Sequence, residues 1–178
     1  MKSEIVNVVA TAALNQEVDL EEIRKFDDVF HDSNVYGGRV AYFKTKTMQG
    51  KVSIFPSGKM ISVGTKSEEN ASKELEAAKD YFVKKGIISD VSLEPKVRNM
   101  VVCVDFGKQV NLEDLALEEH VIYEPEQFSG AIFRILKPYK ASVLIFASGK
   151  TVITGLTSSN QVETVIERLE RLLKEVER

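Results

Sequence analysis

The chain repeats itself. Phe55-Pro56-Ser57-Gly58-Lys59 returns as Phe146-Ala147-Ser148-Gly149-Lys150, Asn7 in IVNVV returns as Asn99 in VRNMV, and Asp19-Leu20 returns as Asn111-Leu112. All three matches keep nearly one spacing, about 91 or 92 residues, which unrelated look-alike motifs would not share. The 178 residues therefore read as two tandem copies, 1–92 and 93–178, each expected to fold as the same unit. A duplicated sheet unit generates a pseudo-twofold surface. Such a surface suits a ligand that is itself nearly twofold symmetric.

Each copy shows the same order of elements. Residues 5–13 and 97–105 are β-branched and apolar, so they predict strands. Asp19 and Asn111 then cap helices predicted over 20–30 and 112–120, and turns at Gly37-Gly38 and Ser129-Gly130 open a run of strands. In the second copy that run is 131–136, 142–146 and 151–155. A longer helix closes each copy, with Ala71, Leu75, Ala78 and Phe82 on one face in the first, and Val162, Val165, Ile166, Leu169, Leu173 and Val176 in the second. Ser158 with Gln161 forms a capping box, Gly86 stops the first long helix and Pro95 marks the joint between copies. Hairpin-length links cannot make parallel crossovers, so the order predicts an α+β fold with an antiparallel sheet.

Composition excludes several classes. One cysteine, Cys103, leaves no internal disulfide framework and fits a reducing compartment. No apolar run approaches the roughly 18 residues of a membrane span, and Met1–Glu4 lead straight into a strand-like segment, so the expected location is cytoplasmic. His31 and His120 share no ligand spacing with each other or with Cys103, so neither a metal nor another cofactor is expected. Ser148-Gly149-Lys150-Thr151 resembles a phosphate-binding loop, but that loop requires a glycine where Leu144 stands. No serine, histidine and acid arrangement and no catalytic carboxylate pair is evident, which argues against an enzyme. The net charge of -3 counts mildly against nucleic acid. Local charge is sorted, however, with acids in the helical segments and lysines (Lys44, Lys46, Lys51, Lys59, Lys137, Lys140, Lys150) beside the strand turns.

One pattern points toward binding. In Val143–Phe146 and Val101–Val104 both alternating sets of positions are apolar, whereas an antiparallel sheet with one wet face is polar on that side. Two helices per copy can cover one face. The other face is then a large apolar surface rimmed by lysines, unless a second copy or helices from the opposite side bury it.

The strings Tyr123–Gly130 (YEPEQFSG), Leu144–Lys150 (LIFASGK) and Val152–Gly155 (VITG), in this order and repeated in degenerate form upstream, resemble the TATA-box-binding protein family. The match is strong over 97–156, weaker over 17–52, and closer to the archaeal branch. The resemblance implies a saddle of two repeats, a curved ten-stranded antiparallel sheet with helices on its convex face. It further implies a transcription initiation factor that binds A·T-rich promoter DNA in the minor groove, kinks it by about 80°, an angle taken from the family, and recruits transcription factor B and, through it, RNA polymerase.

The same resemblance assigns residues. Asn7 and Asn99 match the paired amides that donate to groove acceptors, and Val9, Ile61, Val63, Val101, Leu144 and Val152 supply apolar contact, with Thr154 as a hydroxyl donor. Such a surface suits a floor that shows only adenine N3 and thymine O2, because a guanine amino group pressed against it would lose its partner. Phe128 and Phe146 match the wedges that enter a base step, with Tyr36 and Phe55 in the first-copy positions. Arg39, Lys59, Arg134, Lys140 and Lys150 match phosphate contacts, and Glu124 and Glu126 match the surface for transcription factor B.

Departures gather in the first copy. Asp32–Val35 replaces the acidic proline-containing loop, and Tyr36 replaces a wedge phenylalanine. Val63 stands at the place of Thr154, Ser53 at that of Leu144 and Tyr42 at that of Arg134. Weaker and less symmetric DNA binding is therefore expected, with the second copy supplying most of the affinity. The competing functions are a paralogue that modulates initiation through factor contacts, and an α+β domain whose apolar sheet serves dimerisation or a small ligand.

Overall fold

The computed structural model describes residues 1–176. The chain divides into two compact units, one of residues 7–98 and the other of residues 1–6 together with residue 99 onward. The ten strands and four α-helices are β1 (Lys2–Ala13), α1 (Leu20–Ile23), β2 (Val29–Phe30), β3 (Ala41–Phe43), β4 (Lys51–Ile54), β5 (Lys59–Thr65), α2 (Glu68–Lys84), β6 (Lys96–Asp105), α3 (Leu112–Leu115), β7 (Val121–Ile122), β8 (Ala131–Ile135), β9 (Ala141–Ile145), β10 (Lys150–Leu156) and α4 (Val162–Val176). Within the first unit the strands run in the order β2-β3-β4-β5-β1, and within the second β7-β8-β9-β10-β6. The pairings are antiparallel. The fold class is α+β, as the meander of short links requires.

Asp19 and Asn111 do cap helices. Each accepts two backbone N–H groups of the following turn through its side chain. The helices themselves span only four residues each, not the 20–30 and 112–120 read from the sequence. Downstream, Val29-Phe30 and Val121-Ile122 leave the helical path to pair with Phe43-Tyr42 and Phe133-Ile132. β-branched and aromatic residues gain more by packing across strands than by prolonging a short helix.

The first long helix buries its predicted stripe; the second buries four of its six predicted residues, leaves Val162 and Val176 at its ends half-exposed, and adds Leu172. Ala71, Leu75, Ala78 and Phe82 are wholly inaccessible in α2, and α4 buries Val165, Ile166, Leu169, Leu172 and Leu173. Phe82 packs against Phe43 of β3, with ring centroids 5.7 Å apart. Helix α2 starts at Ser67, whose hydroxyl accepts the Asn70 N–H, and stops at Gly86, whose φ of 72° lets the Ile87 N–H reach the Phe82 carbonyl. At the start of α4 the expected capping box is displaced by one residue. A 3₁₀ turn over Ser159–Gln161 precedes the helix, and the Gln161 side chain accepts from Thr157 instead of Ser158.

Strand burial alternates. In β6, Met100, Val102 and Val104 are buried while Asn99, Val101 and Cys103 are half-exposed; in β1, Val8, Ala10 and Ala12 alternate likewise with Asn7, Val9 and Thr11. One face of each sheet meets helices. The other is open, and it is apolar.

Candidate nucleic-acid interface

The open face of each unit is organised around one asparagine. The pairing of β5 with β1 changes register between Val8 and Ala10, and that of β10 with β6 between Ile153 and Leu156, so each sheet carries a bulge at a Val-Gly or Thr-Gly pair. Gly64 and Gly155 take φ values of 98° and 95° there, which only glycine adopts readily. Their N–H groups leave the ladder and donate to the side-chain oxygens of Asn7, at 2.8 Å, and Asn99, at 2.7 Å. A backbone N–H requires an acceptor, so these bonds fix the amide orientation: oxygen toward the bulge and NH₂ away from it. Among the described residues no acceptor takes the NH₂ protons. Each open face thus presents an oriented amide donor set in a valine surface, beside Val9 in the first unit and Val101 in the second.

Around the amide the ladders align open-face residues in rows. In the second unit the row is Ile122, Ile132, Leu144, Val152 and Cys103. All are aliphatic except the cysteine. In the first unit the corresponding row is Phe30, Tyr42, Ser53, Ile61 and Thr11. Thr154 is half-exposed, and its hydroxyl donates to the Ser142 carbonyl at 3.3 Å. A groove acceptor would therefore have to compete for that proton. Val63 offers no such group.

The rows correct one expectation. Constant spacing sets Tyr42 at the place of Arg134, but Tyr42 pairs with Ser53 as Ile132 pairs with Leu144. Tyr42 is therefore the counterpart of Ile132, and Lys44, two residues on, is the counterpart of Arg134. The first unit has not lost a cation there. Its ammonium is tied down, donating to the carbonyls of Gly50 at 2.8 Å and Gln49 at 3.3 Å.

The aromatic pairs differ between units. Phe128 and Phe146 meet edge to face with centroids 5.8 Å apart, held by a turn in which the Gln127 and Phe128 N–H groups both donate to the Glu124 carbonyl. Gly130 makes this possible, since a Cβ there would come within 3.0 Å of Phe128 and 3.1 Å of Phe146. The residue before β3 is Val40, which is buried and lines a cleft with Tyr36 and Phe55. Tyr36 stands apart from Phe55, 77 % exposed, with a left-handed φ of 49°.

The expected phosphate contacts Arg39, Lys59, Arg134, Lys140 and Lys150 are all exposed, as are Glu124 and Glu126 in the loop before Phe128. Sequence reading gave Gly64 and Gly155 no part in the site, read Gly130 only as a turn and Lys44 only as one of the lysines beside the strand turns. The repeated apolar-Gly and Thr-Gly ends of β5 and β10 were the available signal for the bulges.

A chain of two equivalent α+β units, each covering one sheet face with helices and leaving the other apolar and studded with a fixed amide, is a tandem-repeat sheet-platform protein. Comparison with known proteins gives the family. Residues 2–82 and 94–176 match the family model described as Transcription factor TFIID (or TATA-binding protein, TBP). The TATA-box-binding protein of Cenarchaeum symbiosum is 39% identical over 159 residues, 89% of this chain and 86% of that one. That of Methanococcus aeolicus is 35% identical over 181 residues, 99% of this chain and 98% of the relative. The solved structure of Methanococcus jannaschii TBP superposes with a TM-score of 0.85 at 33% identity, covering 98% of this chain and 99% of that one. The chain belongs to the TATA-binding protein family, a family of transcription factors and not of enzymes, and its role lies in transcription initiation. No helix among the described residues is long and apolar enough to cross a membrane.

Proposed function

We propose that this chain binds A·T-rich promoter DNA through the minor groove, bends it, and presents it to transcription factor B and so to RNA polymerase, working near the nucleoid. The observation that carries this reading is the pair of oriented amides, Asn7 and Asn99, each turned outward by a bulge glycine. Donors in an apolar setting suit a groove floor that offers only acceptors at A·T pairs. The two repeats, 1–92 and 93–178, supply one donor each. Val9, Ile61, Val63, Val101, Leu144 and Val152 supply close apolar contact that a guanine amino group would spoil.

In this reading Phe128 and Phe146 act as one paired wedge, already packed edge to face, and unstacking of a base step is offset by the wider contact that bending allows. Phe55 holds the place of Phe146 in the first repeat, whereas Tyr36, also read as a wedge, lies two residues upstream of the place of Phe128 once Tyr42 is matched to Ile132, and the two form no such pair. Arg39, Lys59, Arg134, Lys140 and Lys150 contact phosphates and set register. Glu124 and Glu126 sit beside the wedge, where negative charge repels DNA unless a basic partner covers it; that suits a surface for transcription factor B.

The unpaired Tyr36 and the tied Lys44 favour a second reading, a paralogue that needs its partner to hold DNA. A gel-shift titration with an A·T-rich duplex, with and without transcription factor B, separates the two. Binding of the chain alone supports the main reading, binding only with the factor supports the second, and no shift in either case rejects both. Replacing Glu124 and Glu126 by glutamine should weaken the complex with the factor while leaving binary duplex binding intact or tighter.

A further inference from the structure

The open face of the first repeat is aromatic where that of the second is aliphatic. Phe30, Tyr42 and Ser53 occupy the row that Ile122, Ile132 and Leu144 fill in the second unit. Serine for leucine removes volume at the centre of the row. The result is a cleft of about 560 Å³ lined by Tyr36, Arg39, Val40, Tyr42, Ser53 and Phe55. Ser53, only 9 % exposed, contributes a hydroxyl, the three rings contribute π surface, and Arg39 contributes an exposed cation.

Two contacts hold the Tyr42 ring in place. Phe30 stacks on Tyr42 at 6.4 Å with an interplanar angle of 24°, and the Lys51 ammonium lies 4.2 Å from the Tyr42 centroid. Tyr36 is displayed at 77 % exposure from a left-handed backbone conformation, φ 49°, that is unfavourable for a tyrosine. Hydrophobic burial does not explain that placement, because the ring is not buried. Flat rings around a narrow, hydroxyl-bearing space, with cations at its margin, match the chemistry of a nucleobase joined to a phosphate, which single-strand binders recognise by stacking and charge.

We propose that this cleft, whose Tyr36, Phe55 and Arg39 belong to the DNA-binding face described above, takes one unpaired base of single-stranded or locally opened DNA, stacked against Tyr36, Tyr42 and Phe55 with its phosphate at Arg39. It rests on the reading of the open face as a DNA-binding surface and adds to it. The paired wedge of the second repeat kinks duplex, while the first repeat holds a base that has left the stack. The chain would thereby distinguish the two ends of a nearly symmetric site by how easily one end opens.

The test uses the intact chain and fluorescence anisotropy with three probes: a short labelled single-stranded oligothymidine, the same A·T-rich duplex fully paired, and that duplex carrying one unpaired thymidine. Free dTMP serves as competitor. The site predicts measurable single-strand binding, and tighter binding of the bulged than of the paired duplex by about fivefold or more, the lower end of what one stacked base contributes. Ser53→Leu and, separately, Tyr42→Ile install the second repeat's own residues, so a folded product is expected of at least one. Either should abolish the preference and lower single-strand affinity. Because dTMP carries the base and phosphate the cleft takes, excess dTMP should displace the oligothymidine; single-strand binding that excess dTMP leaves untouched overturns the assignment to this cleft. A single-strand affinity unchanged in both variants, or no preference for the unpaired base in the parent chain, overturns the proposal outright. The single-strand arm is read without duplex, so failure of duplex binding does not mask its result.

Discussion

Converting Asn99 to aspartate separates folding from recognition. Asn99 accepts the Gly155 N–H at 2.7 Å through its side-chain oxygen, and a carboxylate can make the same bond. The bulge should therefore persist, with a stability change below about 0.5 kcal/mol. What the substitution removes is the NH₂ group, the donor that the Gly155 contact orients toward the open face. A groove acceptor left facing a carboxylate instead of a donor costs about 1–3 kcal/mol, or roughly 5- to 150-fold in affinity. The carboxylate is ionised near neutral pH, and its repulsion from flanking phosphates adds to that loss. Asn99→Ala is the control: it removes the acceptor as well, but Gly155 is exposed, so water can take its N–H. The assay is duplex titration by anisotropy alongside a thermal melt. Binding of N99D within about twofold of the parent, with an unchanged melt, would refute the donor role. The same experiment on Asn7→Asp compares the two repeats.

Other outcomes follow from the core and from one ion cluster. Phe82→Ala removes a wholly buried ring packed on Phe43 and Tyr81 and should cost about 3–5 kcal/mol in urea unfolding; a loss below about 1 kcal/mol contradicts the packing described. Lys79 contacts Glu76, Asp80 and Asp90 at 3.1 to 3.2 Å. Hydrogen bonding and charge from Lys79 hold the Asp90 carboxyl below its ordinary value. A depressed carboxylate stabilises the fold above its unfolded pKa, and the contribution is lost as pH falls below about 4. Asp90→Asn should therefore show a shallower acid decline in melting temperature than the parent, and an identical acid limb would rule the contact out.

The repeat and its periodicities made most of the fold readable in the sequence. Phe82 and Leu169 lie at helical spacing from their neighbours, and Asp19 and Asn111 are strong caps, so the helices had both a face and a start. Their short first members were not readable, because the chain pairs Val29-Phe30 and Val121-Ile122 in two-residue edge strands whose stability comes from partners distant in sequence. Equivalent positions of the candidate site were legible where chemistry repeats, as in Asn7 and Asn99, which make the same bond to a bulge glycine, and obscure where loop lengths differ. The link from β2 to β3 spans 31–40 while that from β7 to β8 spans 123–130. Constant spacing therefore misassigned Tyr42, and it hid both the role of Lys44 and the aromatic row beside Ser53. Bulge geometry was hidden too, since Val63-Gly64 and Thr154-Gly155 look like strand ends until their partners are known.

Minor-groove reading by these amides and valines is tested most directly with inosine. An I·C pair presents the major groove much as G·C does, but it lacks the guanine 2-amino group and so presents the minor groove of A·T. One duplex is prepared in three versions, with A·T, I·C or G·C pairs at the central steps, and the affinity of the intact chain for each is measured at one salt concentration. The structure predicts I·C binding within about twofold of A·T, and loss on the G·C duplex of about 1–3 kcal/mol for each pair changed. An I·C duplex bound as poorly as G·C would mean that the chain reads something other than the minor-groove floor.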